Sequence, residues 1–521
     1  MKYLISFDTD IIGQAQASDW SIDKVLTLGD DITNDLSHLP KVNEHLTIFI
    51  PTVFDYSNSL SYEGANLGLR IFMFYLRNNR TDIDIVLMGN ETKENFLLHY
   101  DYPNLLKIPR VNYIRFNKNI VASYNHVDQT QLKANEYLSY LNNLGLKLPT
   151  SFKSTHSLTN EWCLYKWNSF MGFNENSYSL DGILYFDYLI TLERLNHEKQ
   201  KKASEDLKKR IQNLHASRIL LIDDKDGWHK FFRMFFSQAR NVELRCLGEN
   251  FNKLKLDEIV TEISSEINEF NPDIIILDFR LMEDRDADIK DSMKQISGYQ
   301  VLSNVIKGTT DKPKESFGCQ VLIFTATSRI ENILMLREGN ADGFILKEKP
   351  ENYNGKETTK NAIKDTVSKL EKSIQRAEFL IPLNEKLNKL LGLISNTNHT
   401  DSNVGISAIM TSQFVRQLTQ NNDLNVDILK LTYLNLIYIL ESLKYNKDKL
   451  SPFISSEASK CNLDPKTFSL WDDICTLRNC IAHGDSSKKF KGKQISVDIM
   501  MEWTINLSEF ILQFLTLYLK K

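Results

Sequence analysis

The chain has 521 residues, too many for a single hydrophobic core, so we expect several domains. Its 63 basic and 67 acidic side chains give a net charge of −4, which restricts any nucleic-acid contact to a local patch. The six cysteines form no Cys-x-x-Cys pair, as is typical of reduced thiols, and no apolar run reaches membrane-spanning length. We therefore expect a cytoplasmic protein that does not cross a membrane.

The first 190 residues have the pattern of an α/β domain. Apolar runs at 46–50, 83–88 and 111–116 are separated by stretches of helical length. Strands that alternate with helices predict a parallel sheet. Residues 191–216 follow as a highly charged segment in which apolar residues recur at helical spacing, so we predict a helical linker there.

Residues 217–350 contain four apolar runs that predict buried parallel strands. The polar residues near the ends of the four runs are, in order, Asp223 with Asp224, Asp278, Thr325 and Lys347. Because parallel strands end at one edge of a sheet, these side chains should converge. Clustered carboxylates favour Mg²⁺, and a lysine with a hydroxyl suits phosphoryl oxygens. The pattern predicts a carboxylate that accepts a phosphoryl group.

This arrangement resembles the receiver domain of response regulators. The resemblance implies a doubly wound, flavodoxin-like parallel sheet and phosphorylation by a histidine kinase or a phosphotransfer protein. It assigns Asp278 as the phosphoacceptor, and Asp223, Asp224 and Asp278 as the acids that bind Mg²⁺. It assigns the switch positions to Thr325, Phe344 and Lys347. Two departures are a charged insert at residues 283–295 and Glu348, which stands where the family usually has proline.

The same family suggests one interpretation of the N-terminal α/β domain. Pro51 and Thr52 stand where an acceptor aspartate would fall, so this domain is either a receiver that has lost its acceptor or an unrelated docking or sensory domain. Both interpretations stay open from the sequence.

Residues 351–400 contain a heptad-like seam. Its positions, at steps of four and three, are Ile363, Val367, Leu370, Ile374, Ala377 and Ile381. Such a seam fits either a two-chain coiled coil or a helix packed on its own domain, and we favour the dimerising helix. Pro382 is expected to end or kink this helix.

Residues 401–521 are predicted to form an all-helical bundle. Within it, Arg478 and His483 are five residues apart near a helix end, with Asn479 directly after the arginine. A histidine can move the proton of a ribose 2′-hydroxyl, and an arginine can stabilise charge on phosphate. A basic loop follows, and its predicted RNA-binding residues are Lys488, Lys489, Phe490, Lys491 and Lys493.

The Arg-Asn-x3-His pattern in a helical domain resembles the HEPN family. The resemblance implies a dimeric, metal-independent ribonuclease in which Arg478 and His483 are catalytic and Asn479 supports them. Glu441, on the preceding long helix, is an extra polar candidate. Our functional hypothesis is a homodimeric effector whose ribonuclease is controlled by Asp278 phosphorylation, in growth arrest or anti-phage defence. The alternative is a non-enzymatic adaptor whose helical domain dimerises or binds RNA or a partner protein.

Overall fold

The structure is a computed structural model of the 521-residue chain. It describes residues 1–6, 22–27, 36, 39, 44–54, 62–117, 121, 124, 132–146, 155–173, 183–195, 205–214, 217–282, 285–286, 293–306, 318–326, 330–339, 341–350, 358–397, 402–421, 424–443, 449–482 and 490–519.

The chain divides into two compact units that are not contiguous in sequence. The first unit consists of Met1–Ser204 together with Glu348–Ala362, and the second consists of Glu205–Lys347 together with Ile363–Lys521. No helix among the described residues is both long enough and apolar enough to cross a membrane.

The first unit contains a five-stranded parallel sheet in the order β2-β1-β3-β4-β5. Its strands and helices are β1 (Lys2–Ser6), β2 (Lys24–Thr27), β3 (Leu46–Pro51), α1 (Glu63–Arg77), β4 (Ile83–Gly89), α2 (Lys93–His99), β5 (Val111–Arg115), α3 (Leu138–Asn142), α4 (Thr155–Met171) and α5 (Leu184–Leu195). Every residue of β3 and β4 is buried, which explains their largely apolar sequences; the exceptions are Thr47 and Asp84, and Asp84 pairs with Arg110. The predicted parallel sheet is present, and β1 and β2 extend it.

Helices α4 and α5 of the first unit are joined by an aromatic contact and a buried ion pair. Trp162 stacks on Phe186 at a centroid distance of 5.7 Å, and Lys166 Nζ binds Glu193 Oε1 at 2.5 Å. The segment 348–362 joins this part of the unit. The Glu348 N–H donates to Cys163 Sγ, and the Glu348 carboxylate accepts a hydrogen bond from the Thr359 hydroxyl at 2.7 Å.

The second unit contains another five-stranded parallel sheet, in the order β10-β9-β8-β6-β7, followed by helices. The elements up to the end of the sheet are α6 (Glu205–Gln212), β6 (Arg218–Ile222), α7 (Asp226–Phe236), β7 (Glu243–Leu247), α8 (Leu256–Phe270), β8 (Ile274–Asp278), α9 (Ser297–Val301), β9 (Gln320–Thr325), α10 (Ile330–Glu338) and β10 (Gly343–Leu346). The helices that follow are α11 (Thr358–Asn396), α12 (Asn403–Asn421), α13 (Val426–Glu441), α14 (Leu450–Lys460), α15 (Pro465–Ala482) and α16 (Val497–Tyr518). The parallel α/β and all-helical regions predicted from the sequence are both present.

Helix α11 spans 39 residues and passes through Pro382, so of the two expected effects, an end or a kink, the end does not occur. A proline removes only one backbone donor, and burial of Leu380 and Leu383 on either side offsets that loss. Five of the six seam positions, from Ile363 to Ala377, are at most 4% exposed within the single chain. These five side chains therefore pack inside the protomer.

The second half of α11 belongs to the core of the helical bundle. There it contributes Leu383, Leu387 and Leu390 to a cluster that also contains the stacked pair Trp471 and Phe510. The buried Tyr433 hydroxyl donates to the backbone oxygen of Ile474, which fixes α13 against α15. One continuous helix thus contributes to this core and also, through its first half, contacts the α/β part of the same unit.

Candidate functional site

Three carboxylates meet at the carboxyl edge of the second sheet. Asp223 and Asp224 directly follow β6, and Asp278 is the last residue of β8. The two strands are paired in register, with Ile222 opposite Leu277, so their ends lie side by side. One carboxylate oxygen from each aspartate lies within 4.8 Å of the others. This all-oxygen donor set fits a hard divalent cation such as Mg²⁺.

Lys347 brings a positive charge to the same cluster. Its Nζ lies 3.1 Å from Asp278 Oδ1 and 3.4 Å from Asp223 Oδ2, and its side chain is fully buried. The Nζ also lies 4.2 Å from the centroid of the Phe324 ring, a favourable cation–π position. The Lys347 N–H donates to the Thr325 carbonyl at 2.7 Å, which fixes the chain where β10 ends.

Burial and mutual repulsion raise the pKa values of two of the acids. Burial, opposed by Lys347, raises the pKa of Asp223 to about 6. Burial, followed by the charges of Asp223 and Asp278, raises the pKa of Asp224 to about 8, and the opposing charges of Lys225 and Lys347 are weaker. Burial alone would lower the pKa of Lys347, but the neighbouring carboxylates outweigh it and the pKa is raised. A divalent cation would relieve the repulsion among the acids, so the residues present fit Mg²⁺.

The two remaining switch candidates lie on the adjoining strands. Thr325 is the last residue of β9, 1% exposed, and it follows Phe324, the register partner of Asp278. Phe344 lies on β10 opposite Ile323 and is half-buried. The structure therefore brings one oxygen each of Asp223, Asp224 and Asp278 within 4.8 Å of one another and puts Lys347 in contact with Asp223 and Asp278. Thr325 lies at the same edge, and Phe344 lies three residues before the lysine.

One residue that sequence reasoning missed fixes the segment after Asp278. Asp286, within the charged insert, is fully buried and accepts hydrogen bonds from the backbone N–H and the hydroxyl of Ser297. Ser297 in turn accepts from the Leu281 N–H at 2.8 Å. Burial raises the pKa of Asp286. An aspartate among many charged residues is expected to be exposed to solvent. The sequence therefore contains no signal that Asp286 is buried.

The second predicted site is described only in part, because His483, Lys488 and Lys489 lie outside the described residues. Arg478 lies on α15 and donates from Nη2 to Glu441 Oε1 at 3.2 Å and from Nη1 to Asn479 Oδ1 at 3.3 Å. The side chain of Arg478 is 43% exposed, so it remains accessible to a ligand. The extra polar candidate Glu441 is thus a partner of Arg478.

The described end of the basic loop is a tight turn. Lys491 and Gly492 both have positive φ, and Phe490 pairs with Lys493 across the turn. The Phe490 ring is 2% exposed and packs edge-on against Trp503, so the prediction that it stacks on a nucleobase is wrong for this conformation. Lys491 Nζ binds Asp473 at 2.5 Å, and Lys493 is exposed.

Comparisons with known proteins do not assign the chain. A scan against models of protein families gives no match, and a search of curated proteins gives none either.

Proposed function

We propose that the chain is a phosphorylation-regulated signalling effector in which Asp278 is the phosphoacceptor of a receiver-type domain. The observation that carries this proposal is the contact of Asp278 with Lys347 beside two further carboxylates, at the carboxyl edge of a parallel sheet. The strand order, with β7 and β6 preceding β8, β9 and β10, is also that of flavodoxin-like folds, whose ligand site lies at this edge. Both features support the flavodoxin-like receiver expected from the sequence.

The proposed chemistry is transfer of a phosphoryl group from a phosphohistidine to Asp278. An Asp278 oxygen attacks phosphorus, a P–O bond forms as the P–N bond breaks, and the imidazole leaves after taking up a proton. Lys347, already 3.1 Å from Asp278 Oδ1, holds a phosphoryl oxygen, and the hydroxyl of Thr325, at the same edge, donates a hydrogen bond to another. Asp223, Asp224 and Asp278 would hold Mg²⁺, which when bound offsets the negative charge that gathers there.

A route from this site to the helical bundle runs through β9. Thr325 ends this strand at the site, and Gln320 begins it at the opposite end, where its side-chain oxygen accepts a hydrogen bond from Arg376 Nε at 2.9 Å. Gly318 passes so close to α11 that a Cβ would lie 2.7 Å from the Ile381 nitrogen. A displacement of β9 would therefore act directly on the helix that also contributes to the bundle core.

The proposed output is a HEPN-type ribonuclease that needs no metal. Arg478 would stabilise charge on the scissile phosphate, and His483 would move the proton of the 2′-hydroxyl, with Asn479 as the neighbour of the arginine. The active form would be a homodimer in which two motifs meet, and the biological role would be growth arrest or anti-phage defence. Lys488, Lys489, Lys491 and Lys493 would contact the RNA backbone.

A non-enzymatic adaptor is the second candidate, and two contacts favour it. Arg478 is engaged by Glu441, and Lys491 is engaged by Asp473, so part of the positive charge of this surface is already neutralised. In this alternative the bundle binds a partner protein or RNA without cleaving it.

For the first unit we propose a receiver-like domain that has lost its acceptor. Its sheet has the same order of strands as the second, and Pro51 occupies the last position of β3, where the second sheet has Asp278 at the end of β8. Such a domain would act by docking.

The test compares RNA cleavage by the full chain with and without beryllofluoride, a phosphoryl mimic, in the presence of Mg²⁺. We expect cleavage to respond to the mimic in the wild type and not in Asp278→Asn. His483→Ala should lose cleavage by about 10²–10⁴-fold while retaining RNA binding, because it removes a general acid–base group. Binding that responds to the mimic, with no cleavage in any state, would favour the adaptor.

A further inference from the structure

A second group of side chains that could bind a metal lies near the carboxylate cluster and shares no residue with it. Asp226 and His229 are one turn apart on α7, and Glu249 follows β7. One ligand atom from each of the three lies within 4.8 Å of the others. Unlike the carboxylates at the sheet edge, this group contains a nitrogen donor.

The hydrogen bond of His229 fixes which ring nitrogen faces the group. Nε2 lies 2.8 Å from the backbone oxygen of Asp223, and because a carbonyl only accepts, Nε2 carries the proton. Nδ1 lies 3.5 Å from Glu249 Oε1, too far for a good hydrogen bond. With Nε2 engaged by the backbone, Nδ1 is the nitrogen that faces Glu249 and can act as a metal ligand. The ring itself is completely buried, so it is held in this orientation.

The backbone is shaped to bring Glu249 to this histidine. Gly248 has φ +131, and a Cβ there would lie 2.2 Å from the same Asp223 oxygen that accepts from His229. Only glycine allows the end of β7 to pass this close. The next residue, Glu249, is thereby placed against His229.

Two cations already contact the carboxylates of the group. Lys230 Nζ lies 2.8 Å from Asp226, and an Arg233 nitrogen lies 3.6 Å from Glu249. The side chains in both pairs are more than half exposed, so solvent screening leaves these contacts weak. Arg233 also hydrogen-bonds to Cys246, which gives it a second partner if it leaves Glu249. A metal ion could therefore displace Lys230 from Asp226 and Arg233 from Glu249.

We propose that Asp226, His229 and Glu249 form a site for a divalent transition metal of the Zn²⁺ type. One imidazole nitrogen and two carboxylate oxygens are a common donor set for Zn²⁺, with water completing the coordination. Mg²⁺ prefers oxygen ligands only, so the nitrogen of His229 distinguishes this group from the carboxylates of Asp223, Asp224 and Asp278. The two groups meet at Asp223, whose backbone oxygen holds His229 and whose carboxylate faces Lys347.

Binding of Zn²⁺ to the full chain, measured by titration calorimetry with Mg²⁺ in excess, tests this proposal. Asp278→Asn serves as the background, because it weakens the other cluster. We expect one Zn²⁺ site whose affinity falls by about tenfold or more in Glu249→Gln and in Asp226→Asn, since loss of an outer partner alone costs about 10–100-fold. Glu243→Gln changes an exposed carboxylate at the start of β7, the strand before Glu249, and should bind Zn²⁺ as the background does.

A third variant separates the ligand from the structural role of the histidine. In His229→Gln the amide can still donate to the Asp223 oxygen, but no Nδ1 remains, so we expect a folded protein with weakened Zn²⁺ binding. Co²⁺ should give a visible absorption band in the background protein and lose it in this variant. Unchanged Zn²⁺ affinity in Glu249→Gln and His229→Gln, or no binding at micromolar Zn²⁺ in the background, would overturn the proposal.

Discussion

The two parallel sheets of this chain share one backbone design and differ in the side chains at their carboxyl edges. In both, a glycine is the second residue of the helix that follows the third strand in chain order, and it lies against the end of that strand. A Cβ at Gly64 would lie 1.7 Å from the Pro51 oxygen, and one at Gly298 would lie 2.5 Å from the Asp278 oxygen. The Gly64 N–H donates to the Thr52 oxygen at 3.1 Å, and the Gly298 N–H donates to the Phe279 oxygen at 3.2 Å.

The correspondence continues along the edge. The Phe116 N–H donates to the Gly89 oxygen at 2.7 Å, as the Lys347 N–H donates to the Thr325 oxygen at 2.7 Å. Equivalent backbone positions thus carry phenylalanine and glycine in the first unit, and lysine and threonine in the second. The comparison teaches that the backbone of this fold requires the glycines and the strand register, whereas the charged site is added by a few side chains.

An aromatic side chain closes the edge of the first sheet. The Tyr113 hydroxyl donates to the Glu91 oxygen at 3.0 Å, and a Cβ at Gly89 would lie 2.1 Å from that hydroxyl. Burial raises the pKa of Tyr113, so the ring remains neutral. Its counterpart in the second unit, three residues before the lysine, is the half-buried Phe344. An aromatic residue therefore stands at this position in both sheets.

The largest effect is expected from Asp278→Asn, which removes the proposed phosphoacceptor from the carboxyl edge of the second sheet. The first sheet has Pro51 at this position. The amide is nearly the same shape as the carboxylate but is not a nucleophile, so labelling by acetyl phosphate with Mg²⁺ should be abolished. Intact-mass measurement checks this, with Asp257→Asn as a surface control. A phosphoryl adduct that persists and maps to the first unit would break the comparison.

Lys347→Met should destabilise the second unit by roughly 3–5 kcal/mol without Mg²⁺, because it leaves buried carboxylates without their cation. Urea denaturation measures the change. The double variant Lys347→Met/Asp278→Asn should recover part of the loss, since it removes one of the repelling charges. Phe116→Met, at the equivalent position of the first sheet, is the matched control, and an equal loss there would show that the effect is one of packing alone.

Gly298→Ala and Gly64→Ala should each destabilise the chain by about 1–3 kcal/mol, because the added methyl group meets a backbone carbonyl that cannot easily move. We expect the loss at Gly64 to be larger, since its contact is closer. Gly392→Ala, in the exposed part of α11 with no atom within 4 Å of the added group, should not destabilise. Thermal unfolding measures all three variants.

A pH dependence is also expected from the acids of the second sheet. The folded pKa of Asp224, about 8, lies above its ordinary value of 3.8. The folded state therefore binds more protons between these values, and the free energy of unfolding without Mg²⁺ should fall as the pH rises towards 8. Mg²⁺ binds the ionised acids, so it should raise the melting temperature more at pH 8 than at pH 6. Asp224→Asn should flatten this difference, and an unchanged slope would assign it to other groups.

The convergence at the edge of the second sheet is predictable from the sequence because a polar residue ends, or directly follows, four of its five strands, and parallel strands end together. The sequence predicts less where a tertiary contact decides. Phe490 stands among lysines and looks exposed, yet Trp503, further along the chain, covers it. Asp286 is indistinguishable from its charged neighbours until the fold buries it against Ser297. Pro382 is a helix breaker by propensity, but packing on both sides keeps α11 continuous.

The assignment of residues 348–362 to the first unit has a consequence for biosynthesis. Glu348 and Thr359 complete the part of that unit around Cys163, yet they are translated only after the whole second sheet. Domains commonly fold in the order in which they leave the ribosome. The contacts that Glu348 and Thr359 make can therefore form only after Arg218 to Leu346, which contain the whole second sheet, have been synthesised.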